Sequence, residues 1–260
     1  LRGKVDIIVG GFPCQSFSIA GKRGGFEDTR GTLFFDVARA TNAIKPKYVF
    51  MENVKGLLNH DKGNTISVIV NTFKELGYRI ETRVFNSKYF GVPQNRERIF
   101  ILGIREDLPT KDFLIDVPIQ RKEITGIENI LEDKPTESLY LTNPGRLSRL
   151  GKVVCERGEL GKINAVGNVS ATGYRSHDVL SSHGICTTVM ARDYKDPKLI
   201  IEPTTNRVRR LSTKEYWRLQ GFPDWAFEAA EKVNSNSQLY KQAGNSVTVN
   251  VIAAIAERFE

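Results

Sequence analysis

The sequence predicts an α/β fold built around a parallel sheet. Two patterns carry that reading. Short apolar runs rich in β-branched and aromatic residues, Val5-Asp6-Ile7-Ile8-Val9 and Tyr48-Val49-Phe50-Met51, alternate with stretches whose apolar residues recur every three and four positions. Each run then stops at glycines or polar residues, Gly10-Gly11 in one case and Glu52-Asn53 in the other. In an open parallel sheet the carboxyl ends of the strands are where sites are built.

The elements follow in order. Thr32 to Lys45 has Leu33, Phe34, Val37, Ala38, Thr41 and Ile44 on one face with Pro46 just beyond, the pattern of a helix and its stop. Asn64 to Leu76 repeats it with Ile66, Ile69, Val70, Phe73 and Leu76, closed by Gly77. Strand, helix, strand, helix is the βαβ pattern of a parallel sheet with both faces covered. Tyr78 to Phe85 reads as a further strand, Gly91-Val92-Pro93 as a turn, and Gln94 to Gly103 as the strand after it. Arg96 and Arg98 are two apart on entering that strand, so they are expected on one face.

From about Pro109 the style changes. Short segments are separated by Pro, Gly and Asn, as expected of a second, smaller, irregular and β-rich domain. Ser212 and Glu215 form a capping box, with Gly221 and Pro223 ending the helix they open. Gly244-Asn245-Ser246 reads as a turn before a closing helix from Val247 to about Arg258.

Composition bounds the function. Lys plus Arg number 38 against 30 Asp plus Glu, a net charge of +8, which suits a polyanionic partner. The three cysteines (Cys14, Cys155, Cys186) are widely spaced and include no CxxC, which argues against a disulfide framework and for a reducing compartment. The three histidines form no group with zinc spacing, so no metal is expected. No apolar run is long enough to span a membrane.

The chemistry is expected at Gly10-Gly11-Phe12-Pro13-Cys14-Gln15-Ser16-Phe17-Ser18. A lone cysteine near a strand end is usually inert core filling. Here it sits in a turn set by two glycines and a proline, where a thiolate would be reachable. The stretch after it, residues 21–31, is glycine-rich and charged, and would serve as a lid over substrate. On its own, Glu52 reads as a solvated strand end, and Arg96 with Arg98 as a basic one.

Five blocks taken together resemble the cytosine-C5 DNA methyltransferases of the bacterial or phage modification type, and occur in that family's order. They are Gly-Phe-Pro-Cys-Gln-Ser-Phe-Ser, Glu52-Asn53-Val54, Gln94-Asn-Arg-Glu-Arg98, the Arg210-Leu-Ser…Gly221-Phe-Pro helix, and Gln242-Ala-Gly-Asn-Ser-Val247. The resemblance implies the C-terminal part of a Rossmann-like methyltransferase sheet with an inserted, smaller target recognition domain. Residues 1–110 would be the catalytic domain, 111–234 the recognition domain, and 235–260 a return helix of the catalytic domain.

It also implies roles. Cys14 would be the nucleophile. Glu52 would protonate or hydrogen-bond the base at N3, Asn53 would help to position it, Arg98 would hold the base carbonyl, and Arg96 the neighbouring backbone or loop. Pro13, Leu33, Asn245 and Val247 would line the pocket for S-adenosylmethionine. Gln15, Ser18, Arg23, Arg30 and Thr188 would face double-stranded DNA, Thr188 as part of a Thr-Thr-Val variant of the recognition domain's short signature. The family opens with a Phe-x-Gly-x-Gly cofactor loop that does not precede Leu1 here. The expectation is therefore an N-terminally truncated chain, completed by an N-terminal segment or subunit. The alternative is a non-catalytic DNA-binding half, or a subunit of a split methyltransferase that needs a partner for cofactor binding. Transfer to tRNA keeps the chemistry with another substrate. A thiol hydrolase is disfavoured because no histidine is placed near Cys14. A cognate restriction endonuclease and a cytoplasmic location, without membrane association, complete the expectation.

Overall fold

The computed structural model describes residues 1–12, 33–109, 111–150 and 158–259. The first apolar run forms β1 (Ile7–Gly11). Helix α1 (Leu33–Ile44) follows and buries Phe34, Ala38 and Thr41 of the expected face, together with Phe35, while Leu33 of that face is exposed. It ends where Lys45 takes a positive φ of 53° ahead of Pro46, whose ring bars another helical turn. Strand β2 (Tyr48–Val54) then pairs in parallel with β1, Ile7 opposite Tyr48 and Gly11 opposite Glu52. Helix α2 (Asn64–Glu75) buries Ile69 and Phe73, and Gly77 beyond it has the φ of 84° that favours glycine. Strands β3 (Tyr78–Asn86), β4 (Gln94–Asn95) and β5 (Glu97–Arg105) follow.

The first sheet has the order β1-β2-β5-β3 and is mixed, not parallel throughout. Strand β5 runs antiparallel to β2, with Tyr48 opposite Ile104 and Val54 opposite Arg98. The connection explains this departure from the expected βαβ repeat. Between β3 and β5 the chain has one short 3-10 turn (Ser87–Phe90) and two-residue β4. That is too little chain for the crossover a parallel neighbour requires.

By its internal contacts the chain divides into two compact units. The first comprises Leu1–Phe85, Glu97–Pro118 and Arg258–Glu260; the second comprises Asn86–Arg96 and Ile119–Glu257. In the first, Phe34 packs its ring 5.5 Å from Phe12 and 5.8 Å from Phe73, over a sheet face of Val49, Met51, Ile99 and Ile101. The Tyr78 hydroxyl donates to the Pro46 carbonyl at 2.6 Å, which satisfies its polar end inside that core.

The second unit contains short α3 (Pro144–Leu147), then β6 (Ala165–Asn168), β7 (Asp178–Ser181), β8 (Cys186–Thr187), β9 (Leu199–Ile201) and β10 (Val208–Arg210). Its four-stranded sheet has the order β10-β9-β7-β6, with β7 and β9 parallel and the outer pairs antiparallel. Strand β8 pairs in parallel with β4. Four helices complete it: α4 (Thr213–Leu219), α5 (Asp224–Glu231), α6 (Asn236–Asn245) and α7 (Val249–Ala256). The capping box is present, with the Glu215 amide donating to Ser212 Oγ at 3.2 Å and the Ser212 amide to Glu215 Oε2 at 2.8 Å. Trp217 Nε1 donates to the Leu239 carbonyl at 3.1 Å, and the Tyr240 hydroxyl to the Leu211 carbonyl at 2.8 Å.

One local expectation changes. Gly244 and Asn245 are the last residues of α6, not a turn, and Ser246 is its cap. Glycine serves there because a Cβ would lie 2.2 Å from both the Ala191 nitrogen and the Met190 carbonyl carbon. Within the second unit α6 packs on α4 and on the turn at 191–194.

Burial of acidic side chains gives the fold an alkaline limit. It pushes the Cys186 thiol from 9.0 up to about 12 and the Tyr78 hydroxyl from 10.0 up to about 12, and raises Tyr216 and Tyr240 as well. Above pH about 9 the unfolded chain loses these protons while the folded chain keeps them. Stability is therefore expected to fall as pH rises from about 9 toward 12, by at most about 1.4 kcal/mol per pH unit for each group. Urea denaturation at pH about 7 and about 11 checks this; equal midpoints would contradict it.

Candidate functional site

In the first unit the site residues gather where two strands end together. The buried run Val49-Phe50-Met51 fixes β2 in the sheet, and its parallel register with β1 sets Glu52 beside Gly11. A Cβ on Gly11 would meet Glu52 Oε2 at 3.8 Å, so glycine keeps that side of the carboxylate open. Arg98 lies opposite Val54 on β5, and is thus the diagonal neighbour of Glu52 on the same face. Its Nε is 3.0 Å from Glu52 Oε1, with the two side chains 16 % and 19 % exposed. Burial pulls the Arg98 guanidinium below its ordinary value, against the raising effect of Glu52.

Asn53 alternates to the other face and is buried. Its Nδ2 donates to the Phe12 carbonyl at 2.6 Å, and its Oδ1 accepts from the Val54 amide at 2.8 Å. The side chain therefore ties down the carbonyl two residues before Cys14. Leu33, at the start of α1, is 55 % exposed. Pro13, Cys14, Gln15, Ser18, Arg23 and Arg30, with the glycine-rich stretch 21–31, lie outside the described residues.

In the second unit Arg96 does not share a strand face with Arg98. It sits between β4 and β5, where strand alternation does not apply, and is 3 % exposed. Its guanidinium donates to the carbonyls of Val189 (3.0 Å), Ser246 (2.7 Å) and Gly244 (3.4 Å). Thr188 Oγ1 donates to the Asn95 carbonyl at 2.7 Å. Asn245 is exposed at the end of α6, and Val247 is half-buried after it.

Gln94 was passed over in sequence. Its Nε2 donates to the Leu219 carbonyl at 2.8 Å and its Oε1 accepts from the Val189 amide at 3.0 Å. Gln220 and Thr248 extend this network, through Ala243 (2.7 Å) and a Thr248–Gln220 bond of 3.0 Å. Gln94 heads the Gln-Asn-Arg-Glu-Arg block, so the block was visible, but a glutamine alone carries little signal of a buried bond.

The sheet that carries this carboxylate, amide and guanidinium belongs to an α/β methyltransferase fold. The structure matches the Dnmt2 methyltransferase of S. pombe with a TM-score of 0.68 at 17 % identity, over 98 % of this chain and 78 % of that one, a likeness of fold alone. The family model of the C-5 cytosine-specific DNA methylases matches residues 1–260, and the chain belongs to that family. It is 42 % identical over 258 residues to the type II methyltransferase M1.ScrFI of Lactococcus lactis subsp. cremoris, covering 97 % of this chain and 61 % of that protein. It is 40 % identical over 273 residues to the type II methyltransferase M.HpaII of Haemophilus parainfluenzae, covering 98 % and 72 %. The chain thus spans about three-fifths to three-quarters of the length of these two relatives. The family's enzymes are S-adenosylmethionine-dependent.

Proposed function

We propose that the chain transfers a methyl group from S-adenosylmethionine to C5 of a cytosine flipped out of duplex DNA, with Cys14 as the nucleophile. The observation that carries this reading is the Glu52–Arg98 pair at the carboxyl end of β2, beside β1, which is followed in sequence by Phe12, Pro13 and Cys14. A carboxyl and a guanidinium side by side match the N3 and O2 edge of cytosine. An entering base takes over both partners, Glu52 at N3 and Arg98 at O2. The Cys14 thiolate adds to C6, and the ring's electron pair moves toward C5 as Glu52 protonates N3. C5 becomes a carbon nucleophile. Once C5 carries the methyl group, loss of its proton to a base and departure of Cys14 as the thiolate restore the ring, and the N3 proton returns to Glu52. Asn53 holds the Phe12 carbonyl, so the chain leads toward Cys14 from a fixed point.

Leu33 and Asn245 are exposed and Val247 is half-buried; by the family resemblance each of them, and Pro13, would contact the methyl donor. When bound it supplies a methyl carbon on a positively charged sulfur. The net charge of +8 supports a duplex partner, with Thr188 and the residues Gln15, Ser18, Arg23 and Arg30 facing it. Phosphate contacts would offset the unstacking cost of flipping, a few kcal/mol. The recognition function falls to residues 111–234. No helix among the described residues is long and apolar enough to cross a membrane. The relatives' type II names support a cytoplasmic modification enzyme paired with a restriction endonuclease.

The second reading is a split enzyme whose N-terminal segment or subunit supplies the cofactor loop. It is favoured by β1, the edge strand of its sheet among the described strands, where Val9 is 68 % exposed. Incubation with duplex DNA and methyl-labelled donor, with and without such a segment, tests both. The expected product is 5-methylcytosine in DNA. Label only in tRNA, or none under either condition on DNA containing the true site, contradicts the proposal.

A further inference from the structure

The block Gln94-Asn95-Arg96 forms β4 and the residue after it, and each of its members bonds to the segment 188–190. The Val189 amide donates to Gln94 Oε1, Thr188 Oγ1 donates to the Asn95 carbonyl, and Arg96 donates to the Val189 carbonyl. Asp193 Oδ2 takes the next amide, that of Met190, at 3.0 Å. Residues 188–190 are thereby held by four bonds, each of which uses a side chain. The same guanidinium reaches across to the carbonyls of Gly244 and Ser246. There the two segments also touch backbone to backbone, since a Cβ on Gly244 would overlap Met190 and Ala191. A planar guanidinium with several fixed donors can hold two carbonyl groups at once, whereas a lysine ammonium is a single point.

We infer that Arg96 is a positioning residue, not a substrate ligand, and that it couples the segment 188–190 to the end of α6 at 244–246. The inference rests on the proposed reading in one respect: Thr188 faces DNA, while Asn245 and Val247 face the methyl donor. On that reading, ordering of the donor-facing end of α6 is transmitted to the DNA-facing segment through one side chain. Coupling of this kind is reciprocal, so each ligand strengthens the hold of the other.

Amide hydrogen exchange of the chain, followed by mass spectrometry, tests this without requiring turnover. Arg96→Ala is expected to speed exchange about tenfold at both 188–191 and 244–247 while leaving Leu199–Ile201 protected. Arg96→Lys is expected to restore one segment and not the other. Faster exchange in one segment only, or in neither, overturns the inference. So does loss of protection throughout the unit in both variants, which would make Arg96 a core strut. A second arm adds S-adenosylmethionine. Wild type is expected to gain protection at both segments, and Arg96→Lys at 244–247 alone. Protection spreading equally in the lysine variant overturns the coupling. No protection at 244–247 in wild type counts against the cofactor reading, while the first comparison still decides the coupling.

Discussion

Replacing Arg209 by methionine is expected to destabilise the fold by about 3–5 kcal/mol. Arg209 lies on β10 and is fully buried. It pairs through Nε with Glu202, and its two terminal nitrogens donate to Glu215 Oε2 and Oε1, each at 2.8 Å. Glu215 is fully buried, and Glu202 is 6 % exposed. Glu215 also accepts the amides of Ser212 (2.8 Å) and Glu132 (3.0 Å), so one carboxylate closes the capping box of α4 and anchors β10. Methionine matches the apolar stem but leaves two carboxylates without their cation in a low-dielectric interior, where unpaired charge is costly. Urea denaturation of the single variant measures the loss. Replacing the arginine and both glutamates together by apolar residues of similar volume is expected to recover most of it, because the desolvation cost disappears with the charges. A single variant as stable as wild type would contradict the burial of this network.

Glu52→Gln is expected to lower the rate of methyl transfer about 10²–10⁴-fold, the usual worth of a positioned general acid. Glutamine keeps the shape and can still accept from Arg98, so the strand end stays assembled. What it cannot do is give a proton to N3. The loss should fall on kcat, with KM for DNA nearly unchanged, since an interaction made only in the transition state is removed. An unchanged rate, or a loss confined to DNA affinity, would remove Glu52 from the chemistry. Single-turnover rates with saturating duplex separate these results.

Much of this was legible because the signals were local. The apolar run before Glu52-Asn53 announced a strand end, and the Ser212–Glu215 spacing announced a cap; both depend on neighbours in sequence. The bond from Asn53 to the Phe12 carbonyl joins residues 41 positions apart, and no spacing rule reports it. Arg96 misled because strand alternation was applied across a break between β4 and β5. Its partners, Val189 and Gly244, lie 93 and 148 residues away. Gly244 misled in the opposite sense. Glycine beside asparagine usually marks a turn, whereas here it admits a close backbone approach within a helix. The mixed sheet follows from a connection too short to cross over, a constraint visible only once β3 and β5 were known to be neighbours.

The most direct measurement is covalent trapping. The chain is incubated with S-adenosylmethionine and duplex DNA carrying 5-fluorocytosine at candidate sites, with and without a complementing N-terminal segment. With fluorine at C5 there is no proton to lose, so the addition cannot be reversed after transfer. The account predicts a protein–DNA adduct that survives denaturation and is absent in Cys14→Ala. An adduct that persists in Cys14→Ala, or no adduct under either condition on DNA that contains the true site, would contradict it.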